Sequence, residues 1–199
     1  MGGFGAANYA LGSTSQRPFV AAASFSGPLD TEYLSADIPY VGGLDMPSVI
    51  RGSIEVAQAA QGEYLLTGNR LWDEKTSQRW HDNNPKRRVS GGTSTLASMP
   101  FYVSAGQGNS RYDIDVLARV SEGNLDPVEV GAYFSTQSFL ASLNRTNVTL
   151  EYFPRLGHSW RNWDVNLCRA LNLTLLAPLN TAQTPVGTAP ALSLCPAAP

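Results

Sequence analysis

The sequence predicts an α/β fold in which parallel strands are flanked by helices and the sheet is short of strands. Three observations lead there. Helix-like and strand-like runs alternate as helix, strand, insertion, strand, helix, strand, helix, and that alternation makes the helices crossovers between parallel strands. The runs 19–25 and 100–105 are apolar almost throughout, as strands buried on both faces are. Only three strand-like runs occur in 199 residues, so the sheet is expected to carry a raw edge where further strands would pair.

Each element has its own signal. Residues 4–12 read as a helix ended by Gly12-Ser13, with Gly2, Gly3 and Gly5 allowing close backbone approach at its start. Phe19 to Phe25 forms a short apolar run closed by Ser26-Gly27-Pro28. Residues 28–98 form an inserted helical and loop region, with a helix near 47–60, placed at the strand-end side where α/β folds bind ligands. Pro100 to Ala105 is the second strand, leading into Gly106-Gln107-Gly108-Asn109-Ser110. Asp126-Pro127-Val128-Glu129 supplies an N-cap, a proline at the first helical position and an acid at the third, so Glu129 is assigned to a helix cap. That helix runs to about Asn144. Val148 to Phe153 alternates like a half-exposed outer strand. A last helix spans about Trp160 to Leu175, and the domain is placed at 1–176. The Pro-, Ala- and Thr-rich stretch 177–199 is a tail expected to be mobile.

Composition narrows the function. The chain is 43% hydrophobic and 15% charged, a globular balance, and a formal charge of −2 gives no reason to expect nucleic acid as a partner. Lys86-Arg87-Arg88 reads as a solvated loop. No stretch reaches the ~18 apolar residues of a spanning helix, no signal peptide opens the chain, and no motif calls for a metal or cofactor. Cys168 and Cys195 either close a C-terminal loop or remain two core thiols.

Chemistry concentrates at the second histidine. His158 lies in a loop just after the last strand, where a hydrolase that uses serine, acid and histidine in that chain order carries its base. His81, within Trp80-His81-Asp82, reads as a surface residue. Ser24, Ser26 and Ser104 lack the strand–turn–helix setting of a nucleophile and are rejected. The opening Met1-Gly2 fits the two positions after the serine of a G-x-S-x-G elbow.

These residues also carry a resemblance. Gly157-His158-Ser159-Trp160-Arg161-Asn162-Trp163 looks like the H-S-W-x-x-W signature of trehalose mycolyltransferases, secreted α/β-hydrolases of bacteria with mycolic-acid envelopes. Met1 to Ala6 resembles their elbow, and Phe25-Ser26-Gly27 a strand end of theirs. Leu71-Trp72 through Trp80 to Asn83-Asn84-Pro85 is similar to another family segment, with Asn84 where aspartate is usual. The likeness covers about residues 1–175.

What it implies is the C-terminal portion of an α/β-hydrolase fold and serine-based acyl transfer, from trehalose monomycolate to a second trehalose or to cell-wall arabinogalactan. Trehalose mycolates and cell-wall polysaccharide are then the partners, and the cell envelope the location. His158 is the expected base, with Asp113 the expected acid and Asp115 second. The Met1 N–H is the expected oxyanion donor. Ser159 touches substrate or caps a helix; Trp160 and Trp163 stack on sugar or pack in the core. The nucleophile is expected one position before Met1, so the polypeptide as written reads as truncated and inactive alone. The alternative is a non-catalytic envelope protein that binds trehalose glycolipid.

Overall fold

The computed structural model describes residues 2–12, 19–38, 42–52, 77–90, 99–106, 108, 127–143, 148–153, 157–158 and 160–175. Helix α1 (Gly2–Gly12) buries Phe4, Ala7, Ala10 and Leu11, a 3–4 residue spacing that lays one stripe against strand β1 (Ala22–Phe25), while Tyr9 faces outward. Strand β4 (Phe101–Gly106) is buried at all six positions, which is why its sequence reads as a continuous apolar run. It pairs in parallel with β1 (Ala22 opposite Phe101) and with β5 (Val148–Phe153; Val103 opposite Leu150). Among the described residues the sheet order is β1-β4-β5, which puts β5 at an edge as expected, although its burial is intermediate nearly throughout and Leu150 is exposed.

Helix α5 (Pro127–Ala141) is the crossover between β4 and β5 and packs on the same face as α1. There Phe101, Val103 and Phe139 join Ala7 and Leu11 in one core, with Phe101 and Phe139 edge to face at 6.3 Å. The opposite face carries α6 (Trp160–Ala170), which continues as a π-helical turn through Leu175. Tyr102, one residue out of phase with Phe101, points to this side. It donates to Glu151, which is also gripped by Arg169 through two nitrogens. Burial pushes the Glu151 carboxyl up, but the Arg169 guanidinium outweighs it and the net shift is downward. Cys168, on α6, is disulfide-bonded; Cys195, the only other cysteine in the sequence, lies outside the described residues.

The insertion holds more sheet than its sequence shows. Strands β2 (Leu34–Ile38) and β3 (Gly42–Asp45) form an antiparallel hairpin, with Gly42 at φ +79°. Both strands are short and mostly exposed, so they lack the apolar alternation that would mark them. Helix α2 follows directly at 46–52, the described part of the helix expected near 47–60. Ile38, Leu44, Met46 and Ile50 enclose Trp80 in a second core shared with Phe4 and Val130. Trp80 belongs to α3 (Gln78–Asp82), capped by the Ser77 hydroxyl, and α4 (Pro85–Ser90) starts at a proline. Trp72 and the tail lie outside the described residues.

Two surface readings are corrected here. Lys86, Arg87 and Arg88 belong to α4 rather than to a solvated loop: Lys86 Nζ reaches Asp30 Oδ2 at 3.0 Å and Ser138 Oγ at 2.8 Å, and Arg87 pairs with Glu32. His81 is half-buried, its Nδ1 2.5 Å from Glu32 Oε1. Asn84 sits between the two acids, buried, and its amide donates to Asp30 Oδ1 (3.0 Å) and Glu32 Oε2 (2.8 Å). Two carboxylates facing one side chain need a donor there, which is the physical reason for asparagine in place of aspartate. Asn84→Asp is expected to cost about 3 kcal/mol by removing both donors and setting a third carboxylate, itself buried, against Asp30 and Glu32. Urea denaturation at pH 7 measures it, and a neutral outcome would mean that the amide does not bridge these acids.

Candidate active site

Parallel strands bring their C-terminal ends to one edge of a sheet, and loops leaving that edge build sites. Three such ends converge here. Ser26 follows β1, Gly106 ends β4 and His158 follows β5. The crossover after β4 adds a fourth group, because α5 starts at that edge and places Glu129 in its first turn.

Glu129 is 1% exposed and is surrounded by donors from three elements. Its Oε2 lies 2.9 Å from His158 Nδ1. Its Oε1 accepts from the Ser26 hydroxyl at 2.7 Å and from the Gly106 backbone N–H. A carboxylate in the first turn of a helix is also favoured by the helix dipole. His158 is held from the other side by α6. Asn162 Nδ2 donates to the Gly157 carbonyl at 2.7 Å, pinning the loop, and Trp163 stands edge to face with the imidazole at 4.8 Å. The indole N–H of Trp163 donates to Ser26 Oγ at 3.2 Å.

A small apolar pocket of about 110 Å³ opens beside this pair, lined by Ser26, Pro28, Met46, Val49, Ile50, Val128, Ala132 and His158. A second, wider groove of about 590 Å³ runs along Gly3, Phe25, Trp160, Trp163, Asp164 and Leu167. Trp160 is 78% exposed, leaning edge to face on Trp163 at 5.0 Å, so it is not a core residue; Trp163 is half-buried against the histidine. The start of α1 closes in on the same strand end: a Cβ at Gly3 would stand 2.5 Å from the Phe25 carbonyl oxygen.

Of the residues singled out in the sequence, His158 and Trp160 flank this site. Met1, Asp113, Asp115 and Ser159 lie outside the described residues. The carboxylate on His158 Nδ1 is that of Glu129, which the sequence reading gave to the helix cap. A capping acid would turn back to its own helix N-terminus; Glu129 instead reaches across the strand ends to the histidine. The signal that could have found it is topological: a crossover helix begins at the sheet edge where its strand ends, so its first turn is as close to the site as the loop before it. Ser24 and Ser104 are wholly buried, and Ser26 is committed to Glu129 and Trp163. Among the described residues no cluster of three or more His, Cys, Asp or Glu could hold a metal, and no helix is long and apolar enough to cross a membrane.

No protein-family model matches the sequence, and no curated protein is similar to it. Among solved structures it is similar to Mycobacterium tuberculosis MPT51 (FbpC1), with 18% identity and a TM-score of 0.55, over 85% of this chain and 54% of that one. The chain thus spans about half the length of that structure. The likeness is one of fold: a parallel sheet with flanking helices that matches part of an α/β-hydrolase-type fold.

Proposed function

We propose that this chain carries the acid–base machinery of a serine acyltransferase of the mycolyltransferase type, acting on trehalose mycolates at the cell envelope. The observation that carries the reading is the His158–Glu129 pair at 2.9 Å, set at the C-terminal edge of a parallel sheet. In this reading a serine is presented at the N-terminal end of α1. His158 takes its proton as the serine oxygen attacks the mycolate ester carbonyl, and the negative Glu129 stabilises the imidazolium that results. The Met1 N–H stabilises the oxyanion, one such donor being worth about 3–4 kcal/mol. Collapse of the tetrahedral intermediate expels trehalose, which takes the proton back from His158 and leaves an acyl-serine. A hydroxyl of a second trehalose or of arabinogalactan, deprotonated by His158, then accepts the acyl group and frees the serine. In this reading Trp160, exposed at the wide groove, contacts the sugar together with Ser159.

The exposed Trp160 at an open groove also favours a second reading, a non-catalytic envelope protein that binds trehalose glycolipid. One experiment separates them: p-nitrophenyl butyrate hydrolysis by the protein isolated from its source cells, with His158→Ala beside it. Acyl transfer predicts turnover that falls by about 10⁴-fold or more in the variant. Turnover indifferent to His158 overturns the reading, and glycolipid binding without turnover replaces it with the second.

A further inference from the structure

We propose that Ser26 and Trp163 are positioning residues that lock the Glu129 carboxylate onto His158; this role rests on the acid–base reading above. A glutamate side chain has three rotatable bonds, so a place in the first turn of α5 does not by itself fix where the carboxylate goes. What aims it is the far oxygen. Oε1 is fixed by the Ser26 hydroxyl and the Gly106 N–H, which leaves Oε2 turned to His158 Nδ1.

The direction of the chain of hydrogen bonds follows from the donor inventory. The Trp163 indole can only donate, so Ser26 Oγ must accept from it, and the single proton of Ser26 is free to go to Glu129. The order is therefore Trp163 N–H to Ser26 O–H to Glu129, with His158 N–H arriving from the other side. Trp163 also packs edge to face on the His158 ring, so one side chain steadies both partners of the pair.

The backbone points the same way. Ser26 has φ +50°, the only positive φ among the described non-glycine residues, and it is 3% exposed. A serine held in the left-handed region costs free energy that glycine would avoid, and such strain persists where the surroundings enforce it. Glycine would relax this backbone but could not supply the hydroxyl that Glu129 and Trp163 both use. Trp163 also lines the wide groove, where Trp160 leans on it.

The test is ¹⁵N-histidine NMR of the 199-residue chain, reading solvent exchange of the His158 Nδ1 proton, with His158→Gln to assign it against His81. Ser26→Ala and Ser26→Gly remove the same hydroxyl on different backbones, and Trp163→Phe keeps a ring but removes the N–H. Thermal melting checks that each variant is folded. Exchange faster by about tenfold in both Ser26 variants, the scale of one lost hydrogen bond, establishes the role of Ser26, and a rise in Trp163→Phe establishes that of Trp163, which parent-like exchange there would overturn. Parent-like exchange in both Ser26 variants, or in Ser26→Gly alone, overturns the role of Ser26 while the acid–base reading stands, provided Glu129→Gln abolishes the signal. A signal that survives Glu129→Gln overturns the pair itself, and the positioning role with it.

Discussion

On the proposed function, Glu129→Gln is expected to lower ester turnover by the protein isolated from its source cells by about 10⁴-fold and to leave the fold in place. The size follows from the geometry of the two carboxylate oxygens. Oε1 receives two donors, the Ser26 hydroxyl and the Gly106 N–H, so in the glutamine variant that position selects the amide oxygen. The amide nitrogen is then forced into the place of Oε2 and presents a donor to His158 Nδ1. His158 answers by keeping its proton on Nε2, the tautomer that cannot take one from a nucleophile. The stabilising charge opposite the imidazolium is lost as well. Asp113→Asn is the companion measurement, expected to leave turnover within about twofold. A comparable loss at Asp113 would return the acid role to that residue, and a Glu129→Gln variant within tenfold of the parent would remove Glu129 from it.

The contrast between Glu129 and Asp113 also marks what the sequence could tell. Strand β4 was legible because all six of its residues are buried, and β5 because an outer strand alternates. His158 was legible because its loop follows the last strand directly, so chain order alone puts it at the sheet edge. The carboxylate that meets His158 was not legible, since two positions fit a glutamate in the first helical turn: one reaches back to the helix's own N–H groups, the other across to a neighbouring strand end. Nothing local distinguishes them, because the deciding partners, Ser26 and Gly106, are 103 and 23 residues away in sequence. Arg87 and His81 follow the same logic, polar in sequence yet paired with Glu32 more than 45 residues earlier. The hairpin of β2 and β3 escaped for the opposite reason, its strands being too short and too exposed to impose a period.

One glycine just after β1 and one within α1 are expected to affect stability in opposite directions when each is replaced by alanine. At Gly27, an added Cβ would stand 2.6 Å from the Phe4 backbone nitrogen, 2.6 Å from Ser24 Oγ and 2.7 Å from the Gly3 carbonyl carbon. Two of those atoms are backbone of α1, which cannot swing aside as a side chain can. Gly27→Ala must push the helix start away from β1, against the core in which Ala7, Ala10 and Leu11 pack with Ala22, Phe101 and Val103 of the sheet. Gly3 meets the same strand end from the helix side, so neither surface has room to give. The expected loss is about 3 kcal/mol, or roughly 5–10 °C in Tm. Gly5, which the sequence groups with Gly3 as a close-approach residue, has nothing within 4 Å of its added Cβ. Gly5→Ala therefore removes only the helix-interior penalty of glycine and should stabilise by about 0.5–1 kcal/mol. Calorimetry on the two variants reads both signs at once. Because Gly27 adjoins Ser26, the displaced helix start in Gly27→Ala should also loosen the Glu129–His158 pair, whereas Gly5→Ala should leave it untouched. Equal melting of both variants with the parent would mean that α1 does not pack on the end of β1 through these glycines.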